Sequence, residues 1–488
     1  MALSADAQYI HATVPAGQYD ELYVTLYDTE GGVMYATVKA DDSKPLAAGK
    51  VREFSNTITY APNATVFVIR DGASLKAFGE QAATLEKDAI FVADVDMTGE
   101  AWTPIEGYAK TVHGNGYAIK GMTAPLFGTT SASIKGLHLK DVVLASNNAP
   151  IVGGLVCVAV ATETIIPTIE HCSVSGTLVV DNQEYTPTGN GNDIEMNYAG
   201  IVAQSRGAQI RNCVNDVAIT INQVAVMGNT ANLRPYIGGI VGNAYGLNLT
   251  NGYIYTHIGD CVNNADILYK DICCTADALV IYPVVGGITG GMLHNTALAN
   301  NTNKISEVGT TLANCTNHGD ISILANGGGA GKDTQSYPYT HAAGIAARAA
   351  YCSITDCDNH GTITLDGKFD QTFSGGICGA SWYTNLENCD NYGAVTVTKD
   401  SIFRGIMLAG ISANNYSEGS LTYYTKNCSN NAPVTCLGST DPAAPAGGSY
   451  HYRIGGCEGF GRSSGTNIVN NKEGVVTCEG NIIYLIGI

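Results

Sequence analysis

Positive charge is the first thing this sequence is short of. Across 488 residues there are 25 Lys plus Arg against 43 Asp plus Glu, a formal net charge of −18. So few cations spread this thinly form no basic face, which excludes recognition of nucleic acid through its phosphates. No apolar run approaches the roughly 18 residues that a membrane-spanning helix needs. The opening "MALSADAQYIHATV" has neither a basic start nor a long apolar stretch, so no export signal is expected within it. Close CxxC pairs are absent too, and with them the usual ligand spacing of a structural zinc site. What the chain does have is 58 Gly, 15 Cys and a 45% hydrophobic content. That is too apolar for disorder, and low charge with abundant Gly, Asn and Thr favours an all-β architecture rich in turns.

The cysteines explain themselves by position. "LANCTNHGDISI" (312–323), "ITDCDNHGTITL" (354–365) and "LENCDNYGAVTV" (386–397) share one frame. Cys172, Cys213, Cys261, Cys315, Cys357, Cys389 and Cys428 all sit in it, and in "IVNNKEGVV" Asn470 is read as taking the cysteine's place. Two positions after the cysteine stand Asn215, Asn263, Asn317, Asn359, Asn391 and Asn430, with Val174 in the first copy. Alternating apolar residues follow, such as Ile219 and Ile221, Ile321 and Ile323, Ile363 and Leu365, and Val395 and Val397. Period two is a strand with one buried face. Ahead of each cysteine lies a glycine motif, "VGGLV", "YAGIV", "IGGIV", "SGGIC" and their kin, at Gly154, Gly200, Gly239, Gly287, Gly344, Gly376, Gly410 and Gly456. Successive glycines are 32 to 57 residues apart, so loops of varying length are inserted between fixed short strands.

A unit of two or three short strands cannot cover its own apolar face, but stacked copies cover one another, which is the solenoid solution. With strands as the regular element, the predicted fold is a parallel β-helix whose equivalent residues stack about 4.8 Å apart. The cysteines should then form one interior ladder, small enough for a narrow part of the coil. The asparagines should form a second ladder at a tight bend, where their tolerance of left-handed backbone and their amides both serve.

The frame "GGI-x-G … I-x-x-C-x-N-x-G-x-I" resembles the GLUG-type repeats of bacterial surface proteins. The stretch from "AIFVADVDMTGEAW" to "GLHLKDVVL" (89–144) resembles the opening rungs of right-handed β-helix proteins secreted by Bacteroidetes. Together the resemblance covers about 89–480. It implies a right-handed parallel β-helix of the pectin lyase-like kind, a place outside the cell or on its surface, and an adhesin-like role with no assigned chemistry.

Residues 1–70 read differently. "DELYVTLYDTEGGVMYATVKA" is a hairpin signal with its turn at Asp28–Gly32, and "KVREFSNTITYAP" and "ATVFVI" add strands, so a small antiparallel β-sandwich module is expected. In 71–88, Leu75, Phe78, Ala82 and Leu85 have helical spacing and suit a helix capping the coil that occupies 89–488. The apolar "GNIIYLIGI" (480–488) reads as a closing strand, or as an edge for assembly into a fibre.

Candidate chemistry is sparse. Stacked parallel cysteines point the same way, which disfavours bridging, although Cys352 with Cys357 and Cys428 with Cys436 remain conceivable pairs. "NGGGAGKDT" (326–334) lacks the Ser or Thr after its lysine that a phosphate loop requires. Asp94 and Asp96 share a strand face, where an outward acidic pair is commoner than a cation site. Polysaccharide lyases and glycoside hydrolases also use this fold. Yet the one Asp–Asp pair, Asp41–Asp42, lies outside the repeats, and Arg234, Arg348, Arg404 and Arg453 are scattered through different ones. No catalytic set and no cofactor is therefore expected.

What remains are the inserts before each glycine, around 181–198, 226–236, 326–341 and 437–453, which should project from one side of the coil. They carry Tyr185, Tyr198, Arg234, Tyr236, Tyr337, Tyr339, Tyr450 and Tyr452. Aromatic faces beside amides and carboxylates suit contact with a glycan or a surface protein.

Overall fold

The computed structural model describes residues 21–27, 33–39, 66–147, 149–182, 194–225, 233–274, 281–294, 309–325, 339–416, 423–437, 453–461, 464–471, 476–478 and 484–485. The chain divides into two compact units, Met1–Val68 and Ile69–Ile488. In the first, Glu21–Tyr27 and Val33–Lys39 pair antiparallel, Glu21 opposite Lys39 and Tyr27 opposite Val33. Of the further strands expected of a β-sandwich, "KVREFSNTITYAP" lies outside the described residues, and Val66–Ile69 is a strand that ends in the second unit, where Ile69 O accepts from Val92 N at 3.0 Å.

The second unit is a parallel β-helix. Its coils repeat a fixed order, seen clearly between 363 and 391. An alternating strand runs on into an approach strand, together Ile363–Gly375. A glycine turn leads to an exit strand, Cys378–Trp382, and then to a short strand, Asn385–Glu387. The cysteine corner follows, and Asp390–Asn391 begins the next coil. Exit strands stack in parallel from Phe127–Thr130 to Glu458–Gly461, and short strands from Asp88–Phe91 to Ser464–Thr466. Far along the chain, Tyr484–Leu485 pairs in parallel with Arg453–Ile454, which extends the ladder of approach strands that includes Met407–Ala409.

The interior is built of like residues in register. Ile219, Ile267, Ile321, Ile363, Val395 and Val434 form one buried column. Ile134, Ile169, Ile210, Ile258, Leu312, Ile354 and Leu386 form another on the short strands. The seven repeat cysteines are buried free thiols that donate to carbonyls of their own coil, as Cys357 Sγ does to Thr355 O at 3.0 Å. No disulfide joins Cys352 to Cys357 or Cys428 to Cys436, so neither conceivable pair is bridged.

The asparagine column is continuous. Each Nδ2 donates to the next Oδ1, from Asn215 through Asn263, Asn317, Asn359, Asn391 and Asn430 to Asn470, at 2.7 to 2.9 Å. The other amide hydrogen turns back to a carbonyl two residues on, as in Asn359 to Gly361 at 2.9 Å. Two expectations need correcting here. Asn470 does not take a cysteine's place: it stands in register with Asn430, and Ile468 fills the cysteine position. Nor are the ladder asparagines left-handed. Positive φ falls on the residue just before each cysteine, on His171, Asn212, Asp260, Asn314, Asp356, Asn388 and Asn427, at 52° to 54°. That corner needs one left-handed residue, and Asn and Asp adopt the conformation at least cost. The ladder asparagine is selected instead for two donor hydrogens and an acceptor inside a dry coil.

The glycine column and the asparagine column account for each other. A methyl on Gly200, Gly239, Gly344, Gly410 or Gly456 would strike the carboxamide of Asn215, Asn263, Asn359, Asn430 or Asn470. In the first copy, where Val174 replaces asparagine, its methyl is what lies beside Gly154.

The helix Gly72–Gln81 is opened by a capping box in which Asp71 Oδ1 accepts from Ser74 N at 2.8 Å. Leu75, Phe78 and Ala82 are buried, and Phe78 meets Tyr108 edge-on at 5.0 Å. The helix is shorter than expected: Ala82–Thr84 is a 3-10 turn, and Leu85 is already extended. Asp94 and Asp96 accept backbone hydrogens, from Ala118 N at 2.8 Å and Thr98 N at 2.9 Å, which explains the acidic pair without a cation.

A candidate binding seam beside the glycine turns

Approach and exit strands meet at the glycine turn, and their outward side chains touch one another. Outward side chains of consecutive strands converge only where the surface is re-entrant, so this corner is a seam running along the coil axis. From the approach strands come Asn197, Tyr236, Val284, His341, Phe373 and Met407, in register, with Glu195 and Arg234 one pleat earlier. The exit strands bring Gln204, Asn243, Gly291, Arg348, Ala380 and Asn414, followed one pleat later by Arg206, Tyr245 and Trp382.

Contacts across the turn fix the geometry. Tyr245 donates to the Glu195 carboxylate and accepts from Gln204 Nε2 at 3.0 Å and Asn243 Nδ2 at 3.1 Å. Arg206 Nε donates to Gln204 Oε1 at 2.9 Å. Arg348 Nη1 donates to Tyr236 Oη at 3.0 Å, and its guanidinium lies over Trp382, 5.4 Å from the ring centre. His341 stacks on Phe373 at 5.0 Å. Arg234 covers the Tyr282 ring at 5.1 Å. Burial pushes His341 well below its usual value, and the charges of Arg348 and Arg234 add to the effect, so the ring is neutral at pH 7. Burial, then the neighbouring Glu195, raises the Tyr245 hydroxyl.

The inserts 183–193, 226–232, 275–280, 326–338 and 438–452 each separate an alternating strand from an approach strand. Their anchors therefore lie along one edge of the coil, next to this seam. Tyr185, Tyr337, Tyr450 and Tyr452 fall within them and outside the described residues, as does the glycine-rich 326–334. Tyr339 opens the strand Tyr339–Ala343. Tyr198 and Tyr236 are not loop residues. Both belong to approach strands and have no exposed surface, so neither ring is offered to a ligand at the rim. They differ by one position in register: Tyr198 aligns with Ile237 and points into the coil, where its hydroxyl donates to Ala149 O at 3.0 Å. Tyr236 points outward and forms the floor of the seam. Arg234 is partly exposed on its edge.

Glu195, Arg206, Tyr245, His341, Arg348 and Trp382 were not singled out from the sequence as binding residues. Their signal is positional, because polar or aromatic residues recur three or five before and four or six after a repeat glycine, amid apolar neighbours.

Among the described residues no group of three His, Cys, Asp or Glu is arranged to hold a metal, and no helix is long and apolar enough to cross a membrane. No family model matches the chain, and no curated protein matches it. Among solved structures, it is similar to a Bacteroides ovatus protein provisionally described as an immunoglobulin A1 protease. The two are 13% identical with a TM-score of 0.37, over 73% of this chain and 82% of that one.

Proposed function

We propose that the chain is an adhesin-like protein, secreted or displayed on a bacterial surface, which binds a glycan along the seam beside its glycine turns. The observation carrying this reading is that Trp382 and Tyr282, both partly exposed, lie along one strip with the accessible cations Arg206, Arg234 and Arg348. Rings offer flat apolar faces, and guanidinium groups offer hydrogen bonds, which suits a polyhydroxylated chain lying along the coil. The GLUG-like repeat frame supports the surface location. Polymer cleavage is the competing reading for this fold.

A glycan array screened with the full chain, alongside a reducing-end assay on the polymers that bind, tests the reading. Binding without shortening of the polymer is expected. Progressive release of new ends would make the protein an enzyme, and a bare array with capture of a surface protein would replace the ligand class.

A further inference from the structure

Arg348 lies on the exit strand Ala346–Ala350, partly buried, in a chain where acids outnumber bases 43 to 25. Even so, no Asp or Glu pairs with it among the described residues. One amino group donates to Tyr236 Oη, the guanidinium plane rests by Trp382, and Nε is enclosed with no acceptor among the described residues. The ionisable groups whose charges reach His341 in this part of the seam are Arg348 and a second cation, Arg234. Glu195, the carboxylate of the strip, is engaged by Tyr245.

A guanidinium stays charged at every physiological pH, and enclosing it without a counter-charge is unfavourable. Chains with acids to spare ordinarily bring one to such a site. Here the two groups beside the cation, a phenol and an indole, hold its plane in position without neutralising it, which leaves the counter-charge to an oxyanion from outside the chain. We infer that Arg348 anchors a carboxylate of the ligand, and that the ligand is a linear glycan carrying uronic acids. The proposal rests on the glycan-binding reading above. A glycan fits better than an acidic peptide because partly exposed rings, Trp382 and Tyr282, stand beside the cations Arg348 and Arg234 and give a sugar face something to stack on.

The test uses calorimetric titration of the full chain with polygalacturonate, alginate and hyaluronan, each beside its carboxyl-reduced neutral counterpart. Wild-type protein should prefer at least one acidic polymer over its reduced form by about tenfold or more, a preference that weakens as salt rises. R348Q should erase the preference and R348K should retain part of it, with unfolding midpoints compared to confirm intact folding. Equal affinity for acidic and reduced polymers, a comparison that needs no variant, would overturn the carboxylate site while leaving glycan binding in place. So would a folded R348Q protein with an unchanged preference. If none of the six polymers binds while an acidic peptide does, both readings fall.

Discussion

A carboxamide stacked on its own copy closes all its bonds without help from water, and this governs the buried edge of the coil. Each ladder asparagine, from Asn263 to Asn430, donates twice and accepts from the coil before it. Replacing Asn359 by alanine would orphan the amide hydrogen of Asn317 and the carbonyl of Gly361, and leave Asn391 Oδ1 with only the Gly393 amide at 3.3 Å. At about 1–3 kcal/mol for a buried group left unpaired, Asn359→Ala should destabilise the chain by about 3 kcal/mol or more in urea unfolding. Asn470→Ala, at a partly exposed position, should cost clearly less. Equal losses for the two would show that the ladder does not carry the coil. Asparagine, glycine and cysteine were legible in the sequence because a column demands the same residue from every copy. The left-handed corner was not, because His171, Asp260 and Asn314 satisfy one backbone demand with three different side chains.

At the scale of elements, the glycine turn joins the packed interior to the seam outside it. A methyl on Gly376 would overlap both the Gly410 carbonyl oxygen and the Asn391 carboxamide, and backbone cannot withdraw as a flexible side chain can. Gly376→Ala should therefore lower the unfolding midpoint by an amount equivalent to about 1–3 kcal/mol or more. Gly99 is a useful contrast. It has φ +77° with nothing within 4 Å of the added methyl, so Gly99→Ala meets backbone strain alone, about 1–2 kcal/mol. Thermal melts in which Gly376→Ala is the milder of the two would refute the steric account. Exit and alternating strands could be read from their apolar pattern. Approach strands such as Ile194–Ala199 and Leu233–Gly238 were read as loop. Both of their faces are occupied, one by the coil interior and one by the seam, so polar, aromatic and apolar residues mix and the period-two signal is lost. The seam was missed for the same reason: a ladder repeats one residue, whereas a binding surface changes from coil to coil.

Over the whole molecule, coils contact mainly their neighbours, so opening one coil need not open the rest. The thiols report on this. Burial pushes Cys352 up to about 12 and Cys457 to about 11, and the repeat cysteines are covered on every side. An alkylating reagent cannot reach a thiol with no exposed surface, so at pH 8 it should leave Cys213, Cys261, Cys315, Cys357 and Cys389 unmodified in the native protein. Raising urea stepwise, with labelling followed by peptide mass spectrometry, should then expose these cysteines at different concentrations, adjacent coils at neighbouring ones. That order is what a linear array predicts once its cooperativity breaks down. Simultaneous labelling of all five at one urea concentration would mean that the asparagine column couples the coils into a single unfolding unit, and modification in native buffer would mean that the interior is not dry.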